Sequence, residues 1–171
     1  MKYWLLVFTF SFVYGLSQTS NVNLNRDLLG MKNAFAAKKF DVFANYLYPK
    51  SFDMVGGKTQ AVNMLKMMSA QLDKQNVKIG RITHEKPGKM LKYKNEWQTT
   101  LEEVSEMQTP KGKHTTKSVM IAISPDAGKN WKFINTMGQA KDQILKLYPN
   151  LSPQLSLPAK PQNMQQPAGK K

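Results

Sequence analysis

The apolar residues of this chain change their spacing from helical to alternating at Asn76. Upstream, Leu24, Leu28, Met31 and Phe35 recur at helical steps, and so do Val62, Leu65, Met68 and Leu72, so each set lines one face of a helix. Downstream the period is two: Val77 and Ile79 alternate with Lys78 and Gly80, and Val119, Ile121 and Ile123 share a face. Helices first and strands afterwards predict an α+β domain, with three N-terminal helices packed on a curved antiparallel sheet and a short C-terminal helix. The 171 residues suffice for one such domain with a sizeable core and are too few for two well-stabilised ones.

The first helix is expected to start at Asn25, a suitable cap, and to be interrupted at Lys38-Lys39. Phe40, Phe43 and Leu47 make a second, shorter stripe that Pro49 ends, and Ser51 to Val55 reads as a brief extended piece before Gly56-Gly57. A third helix then covers Thr59 to Lys74, with its methionines as core filler. Strands follow from Val77 to His84, Met90 to Tyr93, Glu96 to Met107, Thr115 to Ile123 and Trp131 to Ile134. Between Leu101 and Val104 the alternation slips, which predicts a bulge across Glu102-Glu103. A helix over Gly138 to Leu147 closes the pattern, and Leu151, Leu155 and Leu157 are expected along the domain surface. The folded domain is thus residues 22–157, and the Pro, Gln, Lys and Gly composition of 158–171 reads as a disordered tail.

Before that domain, Lys2 is followed by an apolar run from Tyr3 to Tyr14 and the small-residue stretch Gly15-Leu16-Ser17. The run falls short of the roughly 18 apolar residues of a spanning helix and suits the core of an export signal. Residues 1–17 are therefore expected to be a signal peptide cleaved near Ser17/Gln18, giving a secreted or periplasmic protein. Cysteine is absent, which excludes disulfides, thiol catalysis and thiolate metal sites.

The net charge is +14, yet only Arg26 and Arg81 among the 25 basic residues are arginine. Specific reading of nucleic acid favours the arginine fork, so the scattered lysines argue for a solvated surface. A weak electrostatic contact with anionic envelope surfaces is the partner class that such a charge allows.

Ser124-Pro125-Asp126-Ala127-Gly128-Lys129-Asn130-Trp131 fits S-x-D-x-G-x-x-W and resembles the Asp-box of sialidase-type propellers. A propeller needs at least four blades, and this chain has neither the length nor a second copy of the motif. Lying between two strands, the octet is read as a structural hairpin in which Ser124, Asp126 and Gly128 build the turn and Trp131 folds back onto the core. His84 and His114 are the only histidines, and no spacing of His, Asp and Glu suggests a metal site, so neither metal nor cofactor is expected. Tyr46, Tyr93, Trp97 and His84 are the candidates for a ligand-pocket wall.

The order of elements, together with Phe40-Asp41-Val42-Phe43-Ala44-Asn45-Tyr46-Leu47-Tyr48-Pro49, Met54-Val55-Gly56-Gly57-Lys58 and Ala61-Val62, resembles the nuclear transport factor 2-like superfamily, the cystatin-like cone that includes the ketosteroid isomerases. The likeness covers about Leu24 to Asn135 and looks like a secreted bacterial branch. It implies helices laid across a curved sheet, with a pocket at the wide end. The isomerases place a tyrosine on the first helix and a carboxylate base near the short strand before the third. Here the first helix offers Phe35 instead, and Asp53 does not align, so no catalytic residue carries over. The expectation is an exported, non-enzymatic domain that binds a small apolar or amphipathic ligand or a partner, including a second copy of itself as a homodimer. The alternative is an isomerase- or dehydratase-type enzyme with a different acid–base pair.

Overall fold

The structure is a computed structural model, and it describes residues 14–161 and 166–167. Helix α1 (Tyr14–Ala36) leads into α2 (Phe40–Ala44), a 3₁₀ helix (Pro49–Val55) and α3 (Lys58–Lys74). Strands β1 (Lys78–His84), β2 (Leu91–Tyr93), β3 (Glu96–Thr109), β4 (Gly112–Ser124) and β5 (Lys132–Asn135) form an open antiparallel sheet, and α4 (Lys141–Leu147) comes after it. The long β3–β4 hairpin is its spine. One edge of β3 pairs with β1 and, further along, with β2; the far edge of β4 pairs with β5 and with a two-residue strand β6 (Gln166–Pro167). The protein is therefore an α+β domain whose helices flank the sheet at both ends of the sequence.

Alternation divides the sheet's two faces cleanly. Met120, Ala122 and Phe133 meet Leu24, Leu28 and Met31 of α1, whereas Ile121, Ile123 and Ile134 meet Ile144 and Tyr148 together with Leu151 and Leu155. A smaller apolar cluster, Phe40, Ala44 and Val62 with Phe35 and Leu65 against it, joins α1, α2 and α3.

Several expectations are corrected. Helix α1 reaches back to Tyr14, so Asn25 is an exposed residue inside it and not its cap. The turn before Asn25 is held from outside, because Asn23 donates from Nδ2 to the Gly128 carbonyl at 2.9 Å. Residues 51–55 are 3₁₀ and not extended: Pro49 pre-sets the first turn, and Gly56 at φ 83° ends it. The β3–β4 register runs unbroken from Trp97↔Ser124 to Thr109↔Gly112, so there is no bulge at Glu102-Glu103; the irregularity lies in β1, between Ile79 and Ile82. Met64, Met67 and Met68 are exposed, because only Val62 of α3 is fully buried. Leu151 and Leu155 are core residues and not surface ones. Gln98, wholly buried on that face, explains this: it donates to the Asn150 carbonyl at 3.0 Å and accepts from the Ser152 N–H at 2.8 Å, drawing the segment inward. Residues 1–13 of the expected signal peptide lie outside the described residues, as does most of the tail beyond Pro161. No helix among the described residues is long and apolar enough to cross a membrane.

Candidate functional site

Two left-handed residues set up a cleft between the helices and the sheet. Lys38 at φ 55° ends α1, with its N–H on the Phe35 carbonyl, and turns the chain into α2. Asn76, also at φ 55°, ends α3 and feeds β1, while the Val77 N–H caps the Leu72 carbonyl. The two turns are tied by an ion pair between Lys38 and Asp73. Beneath this tie the ends of α1 and α3 do not close onto β1, and a cleft of about 470 Å³ remains. Phe35, Leu65, Leu72, Val77 and Ile82 make it apolar. Phe35 is fixed there by edge-on packing with Phe40, ring centres 6.0 Å apart, and by Phe43 at 5.1 Å.

The charge at the mouth is one-sided. Lys32, Lys38, Lys78 and Arg81 line it, and Asp73 is its single carboxylate. Gly80 and Arg81 together oppose only Glu106 between the register pairs Ile79↔Met107 and Ile82↔Ser105, a bulge of the kind that re-aims a side chain. Glu106 itself is engaged by Lys113 at 2.9 Å.

None of the four candidate wall residues lines this cleft. Tyr46 and Trp97 pack against the core under α1. Tyr93 is the last residue of β2, under the Lys94 ammonium 5.6 Å from its ring centre. His84 lies on the helix-side face of the sheet, where its Nε2 is 3.0 Å from Glu103 Oε2. Asn135 donates to Glu103 Oε1 at 2.9 Å and to Ser118 Oγ at 3.2 Å, so a polar row crosses β1, β3, β4 and β5. This row is what disturbed the apolar alternation near Glu103. The cleft's own residues were missed at the sequence level, although an arginine directly after a glycine in an edge strand was a readable signal.

The octet 124–131 forms a closed hydrogen-bonded turn. Ser124 donates to Asp126 Oδ1 at 2.8 Å and accepts from the Gly128 N–H at 2.9 Å, and Asn130 donates to Asp126 through its backbone and its side chain. Burial by itself would raise the Asp126 carboxyl; the donors on Asn130 and Ser124 outweigh it and hold the group below the usual carboxylate range. Helix α1 docks on this turn. Buried Asp27 accepts the Trp131 N–H at 2.8 Å, and Arg26, itself paired with Asp27, donates to the Lys129 carbonyl at 2.7 Å. Trp131 is 1 % exposed.

On the opposite face Tyr48 is pushed up to about 12 by burial, by the nearby Glu96 charge and by its hydrogen bond to Glu96, against the opposing bond from Asn150. Its hydroxyl donates to Glu96 and accepts from Asn150 at 2.7 Å, in a network continuous with Gln98. This network joins the C-terminal segment to the sheet and lines no cleft described above. Among the described residues no group of His, Asp and Glu has metal-holding geometry. No family model, curated protein or solved structure matches the chain.

Proposed function

We propose that this chain is an exported, non-catalytic domain of the nuclear transport factor 2-like cone type that binds a small apolar or amphipathic ligand between its helices and its sheet. The observation that carries the reading is the cleft among α1, α3 and β1. Its volume of about 470 Å³ falls within the roughly 300–1,000 Å³ of small-molecule sites, and its lining is mostly apolar, with four cations and one carboxylate among it. The order of helices before strands, and the Gly56-Gly57 entry to α3, support the superfamily. Catalysis fits the cleft poorly: its one carboxylate is on the rim and taken by Lys38, and Asp53 is exposed on the 3₁₀ helix.

The isomerase or dehydratase reading is favoured by one contact, His84 with Glu103, a pair able to exchange a proton with a substrate that reaches it. Titrating the mature protein with dodecyl maltoside, followed through backbone amides, separates the two. Binding at this cleft shifts Leu65, Leu72 and Val77 to Ile82 saturably and leaves His84→Gln unaffected. Absence of saturable binding by every single-chain amphiphile rejects the reading, and an isomerase or dehydratase activity lost in His84→Gln selects the other. Export is checked by intact mass, with a mature N-terminus expected at Gln18.

A further inference from the structure

We infer that the ligand is a single-chain alkyl anion, with its tail on the apolar floor and its head group among Lys32, Lys78 and Arg81. The inference rests on the binding reading above and specifies its ligand. Elsewhere in the domain several cations have anionic partners: Arg26 has Asp27, Lys66 has Asp41, Lys113 has Glu106 and Lys117 has Glu102. Lysines without a carboxylate are common on so basic a surface, and at the cleft three unpaired cations gather around one apolar recess. Asp73 is consumed by Lys38, and among the described residues no carboxylate pairs with Lys32, Lys78 or Arg81. Lys32 is also half-buried, so its stem lies along the apolar wall of the cleft.

The geometry of Arg81 adds to this. The other arginine, Arg26, spends its fork on Asp27 and the Lys129 carbonyl, whereas Arg81 has no hydrogen-bond acceptor among the described residues and is placed at the mouth by the β1 bulge. A free guanidinium binds a carboxylate or a phosphate through two parallel bonds. An alkyl tail entering between Phe35, Leu72 and Ile82 brings its head group to this rim, where an anion is attracted and a cation is repelled.

The test uses the mature chain and probes of equal tail length by calorimetry at neutral pH, below their micelle concentrations. Dodecanoate should bind at least about tenfold more tightly than dodecyl maltoside, and dodecyltrimethylammonium should bind weakest. Decanoate should be weaker than dodecanoate by about tenfold, from two fewer buried methylenes. Added salt should shrink the preference for the anion. Lys78→Gln/Arg81→Gln should bring dodecanoate down to the level of the maltoside without changing the melting temperature, and Lys32→Gln should act in the same direction. Dodecyl phosphate, run beside dodecanoate, identifies the head group, and a preference for either supports the inference. Equal affinity for dodecanoate, dodecyl maltoside and dodecyltrimethylammonium, or a preference that survives the double variant, overturns the anion while leaving a binding domain. No binding by any probe removes both. Sedimentation with phosphatidylglycerol vesicles that saturating dodecanoate does not reduce would put these cations on a membrane surface and overturn the inference.

Discussion

Gly30 stands inside α1, where alanine would ordinarily be better by about 1 kcal/mol. A Cβ at this position would run into Tyr46 Oη and lie 2.8 Å from Cζ, and Tyr46 is packed against the core under α1. Steric conflict therefore outweighs propensity. Gly30→Ala should destabilise by about 1–3 kcal/mol, read from the urea midpoint, and Gly30→Ala/Tyr46→Leu should recover part of the loss. A stabilised Gly30→Ala would contradict this packing. Asp126 makes a pH prediction at the same scale. Its folded-state pKa lies below the unfolded value of about 3.9, so its contribution is complete above that pH and is lost as pH falls through the folded value. Asp126→Asn should flatten stability against pH in that acid limb. Asp126→Ala should cost on the order of 1 kcal/mol at neutral pH through the turn's lost hydrogen bonds.

Between elements, the contact that joins α1 to the β4–β5 turn is the buried acceptor Asp27 on the Trp131 N–H. Asp27→Ala leaves that N–H unpaired beside a buried ring, and should cost about 1–3 kcal/mol in thermal or urea unfolding, with Arg26→Ala costing less because Arg26 is exposed. A neutral Asp27→Ala would show that α1 is held by its apolar stripe alone. This latch was invisible in the sequence, since neither residue of a contact 104 positions apart announces its partner. The elements themselves were largely legible, because the stripe of α1 and the alternation of β4 are set by burial on one side. What misled was local. Met64 and Met67 face water, Met68 lies half-exposed along the cleft, and Glu103 interrupts the apolar pattern through a polar row and not through a bulge. The cleft was not legible, because it is a place where α1, α3 and β1 fail to meet, and no single segment's pattern encodes a gap between three.

At the scale of the whole molecule, the sheet needs cover on both faces, and the second cover arrives last in the chain. Leu151 and Leu155 are each 2 % exposed, and their burial stabilises by about 1.5–3 kcal/mol apiece. Gln98 has its amide satisfied by Glu96, Asn150 and Ser152; without the last two it loses two hydrogen bonds, at a further cost of about 1–3 kcal/mol. Together these reach about 4–9 kcal/mol, the size of a domain's entire stability. A chain ending at Tyr148 should therefore fail to give a cooperative thermal transition. A chain ending at Pro161 should behave otherwise. It keeps Leu155 and the bond from the Lys141 N–H to the Pro158 carbonyl at 2.8 Å, and among the described residues it forfeits only the two-residue pairing of β6 with His114 and Thr115. Its melting temperature should stay within about a degree or two of the full chain. Cooperative folding of the shorter chain would move Leu151 and Leu155 out of the core, and a large drop for the longer one would give the last ten residues a docking role.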